Sequence, residues 1–480
     1  MDRISTISDT TQVRPRAGDA PGAAPLAQRD RAALGLLVSA QFLVMLDTSI
    51  VNVALPSIQR ELGFGPAAVT WVVNAYVLAF AGLLLLSGRV ADLVGRRRAF
   101  VVGASLFTVG TLLAAAAVNK ELLIVGRVVQ GVGAAGLSPA AMSLLLATFP
   151  AAQRARAMGA WGAASTLGGA TGVMSGGVLA GTVGWRAVFL VTVPVSLAAV
   201  LLGRRVLVAD APGVRRRFDW AGAATATGAV LTLVHGAVDA VDHAWTSPRV
   251  VGLLAVSLVL MMAFVAIERR AADPLVPLEL FRSRMLRTST AVALLGGASR
   301  GSTFVLVALY FQQLLAMSPE QAGFAMVPTS LAGFAVSLAV LPRVLDAIGP
   351  ARSLVLGLVV LAAGHLWLAY VPGGAGYVAS ILPGLLLVAT GVALSFTPTT
   401  MVLASAVPAT HTGLASGLAG ASMQVGGALG TAAFIVIGIS SGRPVDGALD
   451  GSGFTAAFTA AAIVALLTAA LGATLARPRS

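Results

Sequence analysis

One carboxylate stands inside a strongly apolar stretch of the sequence. Asp47 lies in MLDTSIVNVALP, residues 45–56, within an apolar run that starts near Ala32. An acid at the depth of a lipid bilayer costs roughly 2.5–3.5 kcal/mol on insertion scales, and such residues are usually functional. The residue type therefore indicates proton exchange, in which Asp47 loses its proton when a substrate arrives and regains it afterwards. The alternative is a structural aspartate that hydrogen-bonds to a neighbouring helix and never titrates.

An arginine occupies a similar depth in another apolar segment. Arg127 lies in GRVVQGVGAAGLSPA, residues 126–140, in the outer half of its segment like Asp47. A guanidinium in lipid needs a partner, and Asp47 is the one acid expected deep within a span. We therefore predict that Arg127 and Asp47 interact, directly or through water. The alternative is that the arginine side chain extends to the nearby outer surface.

A second arginine lies close to the middle of a later segment. Arg300 occurs in GGASRGSTF, and one aspartate with two arginines brings the deep charges to a sum of +1. We expect a neutral or anionic amphipathic substrate, with Arg300 lining its site. The alternative is a guanidinium bonded to the carbonyls of a broken helix. Tyr76 and Trp161 could line this cavity, or could instead face lipid or the protein core. Three glutamines could also reach it, or could instead hydrogen-bond between helices: Gln312, Gln313 and Gln424.

The composition shows what kind of scaffold holds these residues. The 480 residues are 57% hydrophobic and 11% charged, with a mean hydropathy of +0.89. A soluble domain has about a quarter charged residues. The apolar residues form runs of about 20, the length that crosses a bilayer as a helix. The chain is therefore predicted to be an all-α polytopic membrane protein.

Several kinds of site are excluded by the residues that are present. The chain has no cysteine, so disulfides, thiolate metal sites and cysteine nucleophiles are ruled out. Lys120 is the one lysine, and no G-x-x-x-x-G-K-[ST] phosphate loop surrounds it. The four histidines lack metal-ligand spacing, and two of them, His235 and His365, lie in apolar segments. Either could carry a proton, although a packed, hydrogen-bonded histidine is the alternative.

Fourteen transmembrane helices are predicted from the apolar runs. They divide the chain into a disordered polar tail (1–31), an N-terminal six-helix half (32–203), a linker region with two additional helices (204–287), a C-terminal six-helix half (288–475) and a second tail (476–480). The predicted spans are 32–54, 67–87, 98–118, 122–147, 156–180, 185–203, 219–239, 249–268, 288–315, 320–341, 351–371, 377–402, 413–440 and 454–475.

The basic residues orient these spans. With the N-terminus inside, 25 of the 32 Lys and Arg residues fall on the inner side and five on the outer side. This asymmetry follows the positive-inside rule, and both termini are predicted to be cytoplasmic. It explains the net charge of +13 without a nucleic-acid partner. The least apolar span, 219–239, is kept because its removal would place the later arginines outside.

Two parts of the sequence repeat each other. GRVADLVGRRR, residues 88–98, matches PRVLDAIGPAR, residues 342–352, through the pattern R-V-x-D-x-x-G-x-x-R. Further on, four glycines of one half match four of the other at an offset of 258: Gly159, Gly168, Gly169 and Gly172 with Gly417, Gly426, Gly427 and Gly430. Both copies face inward at the same points, so the repeat is parallel. Parallel halves around a midplane site are the plan of one large class of secondary transporters.

At these motifs the sequence resembles the major facilitator superfamily, in its fourteen-helix drug:proton antiporter branch. LDTSIVNVALP resembles the first-helix signature of that branch, and GRVVQGVGAAGLSPA resembles the fourth-helix signature. The resemblance implies that Asp47 and Arg127 take part in proton coupling. GRVADLVGRRR resembles the signature between helices 2 and 3, which braces a cytoplasmic gate in the family. The residues carried over to that gate are Gly88, Arg89, Asp92, Gly95, Arg96 and Arg98.

A glycine pattern resembles the fifth-helix antiporter motif of the same branch. It consists of Gly159, Gly168, Gly172, Gly176 and Gly177, with ordinary helix packing as the alternative role. The proline of the family motif is replaced here by Val173, which puts a helix bend at that point in doubt.

The prediction for function is proton-coupled efflux of small hydrophobic or amphipathic compounds across the bacterial cytoplasmic membrane by alternating access. The alternative within transport is an importer or uniporter of a small organic solute. An enzyme should show clustered acid, base or metal groups, and a receptor should carry a sizeable soluble output domain; the sequence shows neither. The expected partners are the substrate, protons and the lipid bilayer, for a monomer that needs no cofactor other than the proton gradient.

Overall fold

The structure is a computed structural model that describes residues 28–65, 68–208, 219–371, 376–442 and 449–476, and these residues are helical apart from short connections. The predicted tails fall largely outside this range, as does Arg443, one of the five basic residues predicted on the outer side. The N-terminal half has seven helices: α1 Gln28–Leu62, α2 Trp71–Val94, α3 Arg96–Ala115, α4 Lys120–Thr148, α5 Ala151–Thr182, α6 Trp185–Leu190 and α7 Val193–Val206.

The remaining helices form a central pair and a C-terminal half. The pair is α8 Trp220–Asp242 and α9 Pro248–Glu268. The C-terminal helices are α10 Arg284–Leu309, α11 Pro319–Ala325, α12 Val327–Ala335, α13 Leu341–Ala369, α14 Leu382–Ser405, α15 Thr412–Ser441 and α16 Gly451–Ala473. Three π-helical turns extend or join them: Tyr310–Leu314, Val336–Val340 and Tyr377–Ile381.

Helix ends differ from the sequence-based limits by several residues. α1 begins at Gln28, four residues before the predicted start of the first span at residue 32. An exposed polar turn with Asp30 in it extends the helix, because an acid is favourable beside the helix N-terminus. The span predicted at 185–203 is divided into α6 and α7, with a proline in the first turn of α7.

Twelve helices in the described residues are long and apolar enough to cross a membrane, by length and composition. One of the twelve, Gln321–Ala369, has 49 residues and includes Gly349, whose φ of 77° and ψ of 169° are not helical. Gly95, the matching residue of the repeat, separates α2 from α3 at φ 107°. Both glycines hold a backbone conformation that other residues rarely adopt, so the repeat is present in the structure as well as in the sequence.

Equivalent helices of the two halves pack in the same way. A Cβ atom on Gly168 or Gly172 of α5 would lie 2.5 or 2.7 Å from the Phe42 or Leu46 carbonyl oxygen of α1. The matching glycines of α15, Gly426 and Gly430, meet the carbonyls of Leu294 and Ala298 on α10. Leu294 and Ala298 follow Phe42 and Leu46 by the same 252 residues, so α10 is the counterpart of α1.

The two halves meet through close backbone contacts at the end of the bundle where α2 turns into α3. Gly88 on α2 lies against Gly413 and Gly417 on α15, and a Cβ at position 88 would overlap the Gly413 carbonyl oxygen. On the other side, a Cβ at Gly159 of α5 would lie 2.7 Å from Pro342, the repeat counterpart of Gly88. We call these contacts the closed end of the bundle.

The central pair lies at the periphery of the two halves. α8 packs on α2 and α15, and α9 packs on α8. α9 is strongly apolar, but only 17% of its most apolar 18-residue stretch is buried. Its exposed apolar residues include Leu258, Val259 and Met262. Such a surface is suited to lipid contact, because a polar solvent would be a poor environment for it.

Candidate functional site

A buried ion pair connects the first and fourth helices. Nη1 of Arg127 on α4 donates a hydrogen bond of 2.8 Å to Oδ2 of Asp47 on α1. The side chains of Asp47 and Arg127 are 0% and 1% exposed. The predicted interaction of these residues is therefore confirmed as a direct one. The alternative, in which Arg127 extends to the surface, is wrong because its guanidinium is buried and bonded.

Two further residues complete the hydrogen bonding of this pair. The amide of Gln130 accepts from Arg127 Nη1 at 2.6 Å and donates to Asp47 Oδ1 at 2.6 Å. It also donates to the hydroxyl of Thr111 on α3 at 3.0 Å. An amide can bridge in this way because it carries both a donor and an acceptor. The sequence analysis missed Gln130, although its position three residues after Arg127 places both on one helix face.

The guanidinium of Arg127 is also held by α2 and by aromatic rings. Its Nε donates to the carbonyl oxygen of Val72 at 2.9 Å. Its Cζ lies 4.4 Å from the ring centroid of Tyr76 and 5.8 Å from that of Phe189. Cation–π contact with a buried ring stabilises a cation that has lost its water. Tyr76, predicted to line a cavity, therefore belongs to this cluster of Asp47, Arg127, Gln130, Thr111 and Tyr76, which we call the acid–arginine cluster.

The glycines of α5 position the helix that carries Asp47. Gly168, Gly172 and Gly176 occur every four residues, and each lies against a carbonyl oxygen of α1 at 2.5 to 2.7 Å from where its Cβ would be. Gly177 lies beside this stripe, with a Val53 methyl group as its nearest neighbour at 3.7 Å. α5 is continuous from Ala151 to Thr182. Val173 replaces the family's proline, and the helix is not interrupted there.

Substitution of Gly172 by alanine is expected to destabilise the protein by about 1–3 kcal/mol, the usual cost of overpacking. The new Cβ would lie 2.7 Å from the Leu46 carbonyl oxygen and 3.1 Å from the Ile50 amide nitrogen, which are backbone atoms that cannot rotate away. Thermal unfolding of the purified protein in detergent measures the loss. The control is Gly177→Ala, which creates only an ordinary contact; equal melting temperatures for both variants would contradict the prediction.

Asp92 joins the two halves at the closed end. Its Oδ1 accepts from the Gly413 amide at 2.9 Å and its Oδ2 accepts from the Leu414 amide at 2.8 Å. These amides belong to the first turn of α15, where unpaired N–H groups and the helix dipole favour an anion. The carboxylate on α2 therefore caps a helix of the opposite half.

The other predicted gate residues divide into two groups. Arg96 donates to the Ala409 carbonyl oxygen at 2.8 Å and lies 3.5 Å from Asp92. Arg89 is buried and donates to the Pro274 carbonyl oxygen at 3.1 Å, and Gly95 forms the turn. Arg98 is exposed on α3 and stands apart from these contacts. Asp346, the repeat counterpart of Asp92, is also exposed, so the carboxylate cap belongs to the first copy alone.

Arg300 is a buried arginine of the C-terminal half. Its side chain lies on α10, the residue is 4% exposed, and Nε, Nη1 and Nη2 have no hydrogen-bond partner among the described residues. The alternative in which a broken helix supplies carbonyls is wrong, because α10 is continuous from Arg284 to Leu309. His365 lies near the same helix face, with Nε2 at 2.8 Å from the Thr303 hydroxyl. His235 instead contacts the ring of Trp71 at 5.5 Å.

The other predicted cavity residues are dispersed. Trp161 on α5 is 2% exposed and belongs to the same hydrophobic cluster as Tyr76. Gln312 and Gln313 are exposed in the π-helical turn after α10, and Gln313 accepts from the Leu449 amide at 3.0 Å. Gln424 on α15 is half-buried. The structure therefore does not bring these four residues together around Arg300.

Comparison with known protein families decides the membership of the chain. The family model described as Major Facilitator Superfamily matches residues 37–431 and 291–480. The chain belongs to the Major Facilitator Superfamily. Its matched residues include the acid–arginine cluster, the closed end and Arg300, and membership in this transporter family means that the chain is not an enzyme.

Antibiotic export and resistance proteins are similar to this chain over most of its length. The chain is 37% identical to the cephamycin export protein of Amycolatopsis lactamdurans, over 86% of each chain. It is 36% identical to the puromycin resistance protein of Streptomyces alboniger, over 87% of this chain and 86% of the relative. It is 34% identical to the lincomycin resistance protein of Streptomyces lincolnensis, over 85% and 84%.

Two solved transporter structures share the fold. The human organic anion transporter MFSD10 matches 93% of this chain and 100% of its own, with a TM-score of 0.68 and 16% identity. The POT family transporter PepTSo matches 94% of this chain and 98% of its own, with a TM-score of 0.61 and 16% identity. At this identity the likeness shows the fold alone.

Proposed function

We propose that this protein is a proton-coupled exporter of small hydrophobic or amphipathic compounds in a bacterial cytoplasmic membrane. The observation that carries the proposal is the acid–arginine cluster, which holds a fully buried aspartate against an arginine. Buried acids of this kind mark proton pathways in transporters. The energy source is the proton gradient, with no further cofactor, and the functional unit is a single chain.

The names of the relatives support the outward direction of transport and the proposed class of substrate. One relative is a cephamycin export protein, and another is a tetracenomycin C resistance and export protein of Streptomyces glaucescens, 35% identical over 82% of this chain. Two more are puromycin and lincomycin resistance proteins. Antibiotics and related metabolites are therefore the first compounds to test as substrates.

Fourteen spans follow if two helices are added to the twelve. The first is α5, which has 32 residues and packs along α1 at the depth of Asp47. The second comes from dividing the 49-residue segment at Gly349, where the helical conformation is broken. An even number of spans places both termini on one side, and the excess of arginines places that side in the cytoplasm. The closed end is then the cytoplasmic end.

The cluster suggests how one proton changes the structure. Asp47 as a carboxylate accepts hydrogen bonds from Arg127 and from Gln130. A proton on Asp47 removes its charge and replaces one acceptor oxygen by a donor, so the ion pair weakens. Arg127 keeps the Val72 carbonyl and the Gln130 amide oxygen as partners and stays in place. Protonation therefore weakens the link between α1 and α4 and leaves a buried arginine without its counter-charge, which favours helix movement.

Alternating access then requires that the closed end opens. Opening separates α2 from α15 and breaks the bonds from Asp92 to the first turn of α15. A proton enters from outside while the closed end is shut, and it leaves inward after the end opens. One charge crossing a potential of 100 mV carries about 2.3 kcal/mol, which corresponds to roughly a fiftyfold gradient of substrate.

The test is transport by purified protein in liposomes whose interior is more acidic than the bath. The acidic interior represents the outside of the cell, so an antiporter should accumulate substrate in the vesicle while interior pH rises. A cephamycin is the first substrate to add, because one relative is named for its export. Empty liposomes and an ionophore that removes the pH gradient are the controls, and both should abolish accumulation.

Two results would favour the alternative of an importer or uniporter. Equal concentrations on both sides at the end of the experiment would indicate a uniporter. Accumulation driven by an acidic bath would indicate that substrate and proton move together. Either result would contradict the proposed exchange.

A further inference from the structure

The C-terminal half contains a buried cation that the proton-coupling scheme does not use. Arg300 is 4% exposed, and its three guanidinium nitrogens have no hydrogen-bond partner among the described residues. Buried charges in proteins are normally paired, because leaving one charge unpaired is strongly destabilising. A partner that arrives from outside the chain would resolve the imbalance.

No acid among the described residues is paired with Arg300. Between residues 284 and 442 the sequence has two acids, Glu320 and Asp346. Glu320 lies at the start of α11, and Asp346 is exposed near the closed end, three residues before Gly349. The buried acid of the other half, Asp47, already has two partners in Arg127 and Gln130.

The guanidinium of Arg300 packs against its own helix, close to other polar groups. The group lies back over Gly296, one turn earlier on α10, where a Cβ would be 2.8 Å from Nη1 and 3.0 Å from Nη2. One turn later, Thr303 contacts His365, which is 0% exposed and whose Nδ1 has no partner among the described residues. Positions 296, 300 and 303 share one helix face, so these polar groups face the same region.

The depth of Arg300 matches the depth of the proton site. The shift of 252 residues that relates α10 to α1 carries Asp47 to Ser299, the residue before Arg300. The two halves therefore place a neutralised acid and an unneutralised base at one level of the bundle.

We propose that Arg300 is the recognition group for an acidic amphipathic substrate, a carboxylate or sulfonate attached to an apolar body. The anion would pair with the guanidinium, which binds planar carboxylates through two donors, and the hydroxyl of Thr303 and the ring of His365 would border it. This inference rests on the proposed export function, because it names the class of compound exported.

The test uses three fluorescent probes that differ in charge but share one apolar body. They are dansyl-6-aminohexanoate, its neutral primary amide, and the cationic amine dansylcadaverine. Binding is measured by fluorescence with the full chain in phosphatidylcholine nanodiscs, at neutral pH and without any gradient. The variants are Arg300→Gln, Arg300→Lys and the control Arg60→Gln, which removes the same charge from an exposed site at the end of α1.

The wild-type protein is expected to bind the acid at least tenfold more tightly than the amide, and the amine most weakly. Arg300→Gln should lower affinity for the acid at least tenfold and leave the amide within twofold, whereas Arg300→Lys should keep a preference for the acid. Arg60→Gln should behave as the wild type. Unchanged amide binding shows that the Arg300→Gln variant is folded.

Three results would overturn the inference. The first is an Arg300→Gln variant that keeps the preference for the acid. The second is that the wild type binds all three probes equally and is thermally more stable in chloride than in gluconate, with that difference lost in Arg300→Gln. The third is the same lack of discrimination with Arg300-dependent stabilisation by phosphatidylglycerol nanodiscs, which would assign the site to a lipid headgroup. Since no gradient is used, failure of proton-driven export would leave these binding results intact.

Discussion

Replacement of Asp47 by asparagine is expected to abolish uphill accumulation of substrate, with the initial rate in an imposed pH gradient falling at least 100-fold. Asparagine cannot exchange a proton, and it fills nearly the same volume as the 0% exposed aspartate. Its amide oxygen can still accept from Arg127 or Gln130. Downhill exchange of labelled for unlabelled substrate should continue, because this reaction needs no net proton movement. Proteoliposome uptake and counterflow are the two measurements.

The matched controls separate the loss of the proton site from the loss of the fold. Asp47→Asn leaves Arg127 without a counter-charge, and breaking a buried pair in this way can cost about 3–5 kcal/mol. The double variant Asp47→Asn with Arg127→Gln removes both charges, so it should regain thermal stability without regaining uphill transport. Asp47→Glu retains a carboxyl group and should keep measurable coupling. Full accumulation driven by pH in Asp47→Asn would refute the assignment of the proton site.

Replacement of Gly88 by valine is expected to prevent closure of the α2–α15 end and to lower transport at least tenfold. Any Cβ at position 88 overlaps the Gly413 carbonyl oxygen and lies 3.0 Å from Gly417 Cα. Both are backbone atoms of α15, so the conflict is relieved only by moving the helices apart. Because the chain has no native cysteine, single cysteines introduced into α2 and α15 can report their separation through spin labels. The distance distribution should shift to longer values in Gly88→Val.

Gly420→Ala is the control for this prediction. It lies on the same face of α15, but its new Cβ would meet only the side chain of Leu84, at 3.2 Å, and that side chain can rotate. This variant should keep the wild-type distance distribution and transport rate. Identical spin-label distances in Gly88→Val and in the wild type would show that the tight contact is not needed for closure.

The sequence predicted the central contact of the candidate site because few charges were available. Asp47 and Arg127 lie at similar depths in apolar segments, and burial leaves each with the other as its partner. Gln130 was missed because a glutamine in a membrane helix has many possible partners, and periodicity does not show which face turns toward α1 and α3. The prediction of the cavity residues failed for the same reason. The depth of a residue along its helix does not show toward which neighbouring helix its side chain points.

The sequence predicts where the helices lie better than it predicts where they begin, end or are interrupted. Apolar runs of about 20 residues locate helices, and the repeat pairs them between the halves. Helix ends extend beyond the apolar runs, because backbone hydrogen bonds continue in polar turns such as the one at Gln28. The partner of Asp92 is a pair of backbone amides at Gly413 and Leu414, which carry no side-chain signal that a sequence could show.

The cap that Asp92 places on α15 bears on how many protons leak across the membrane. Each hydrogen bond to a charged group contributes about 1.5–3 kcal/mol, so two of them favour the shut form by a factor of about 100 or more. Without substrate, opening of this end would be disfavoured by this contribution, which would restrict the passage of protons through it. A transporter that holds no substrate would then dissipate little of the proton gradient, because the Asp92 cap keeps its closed end shut.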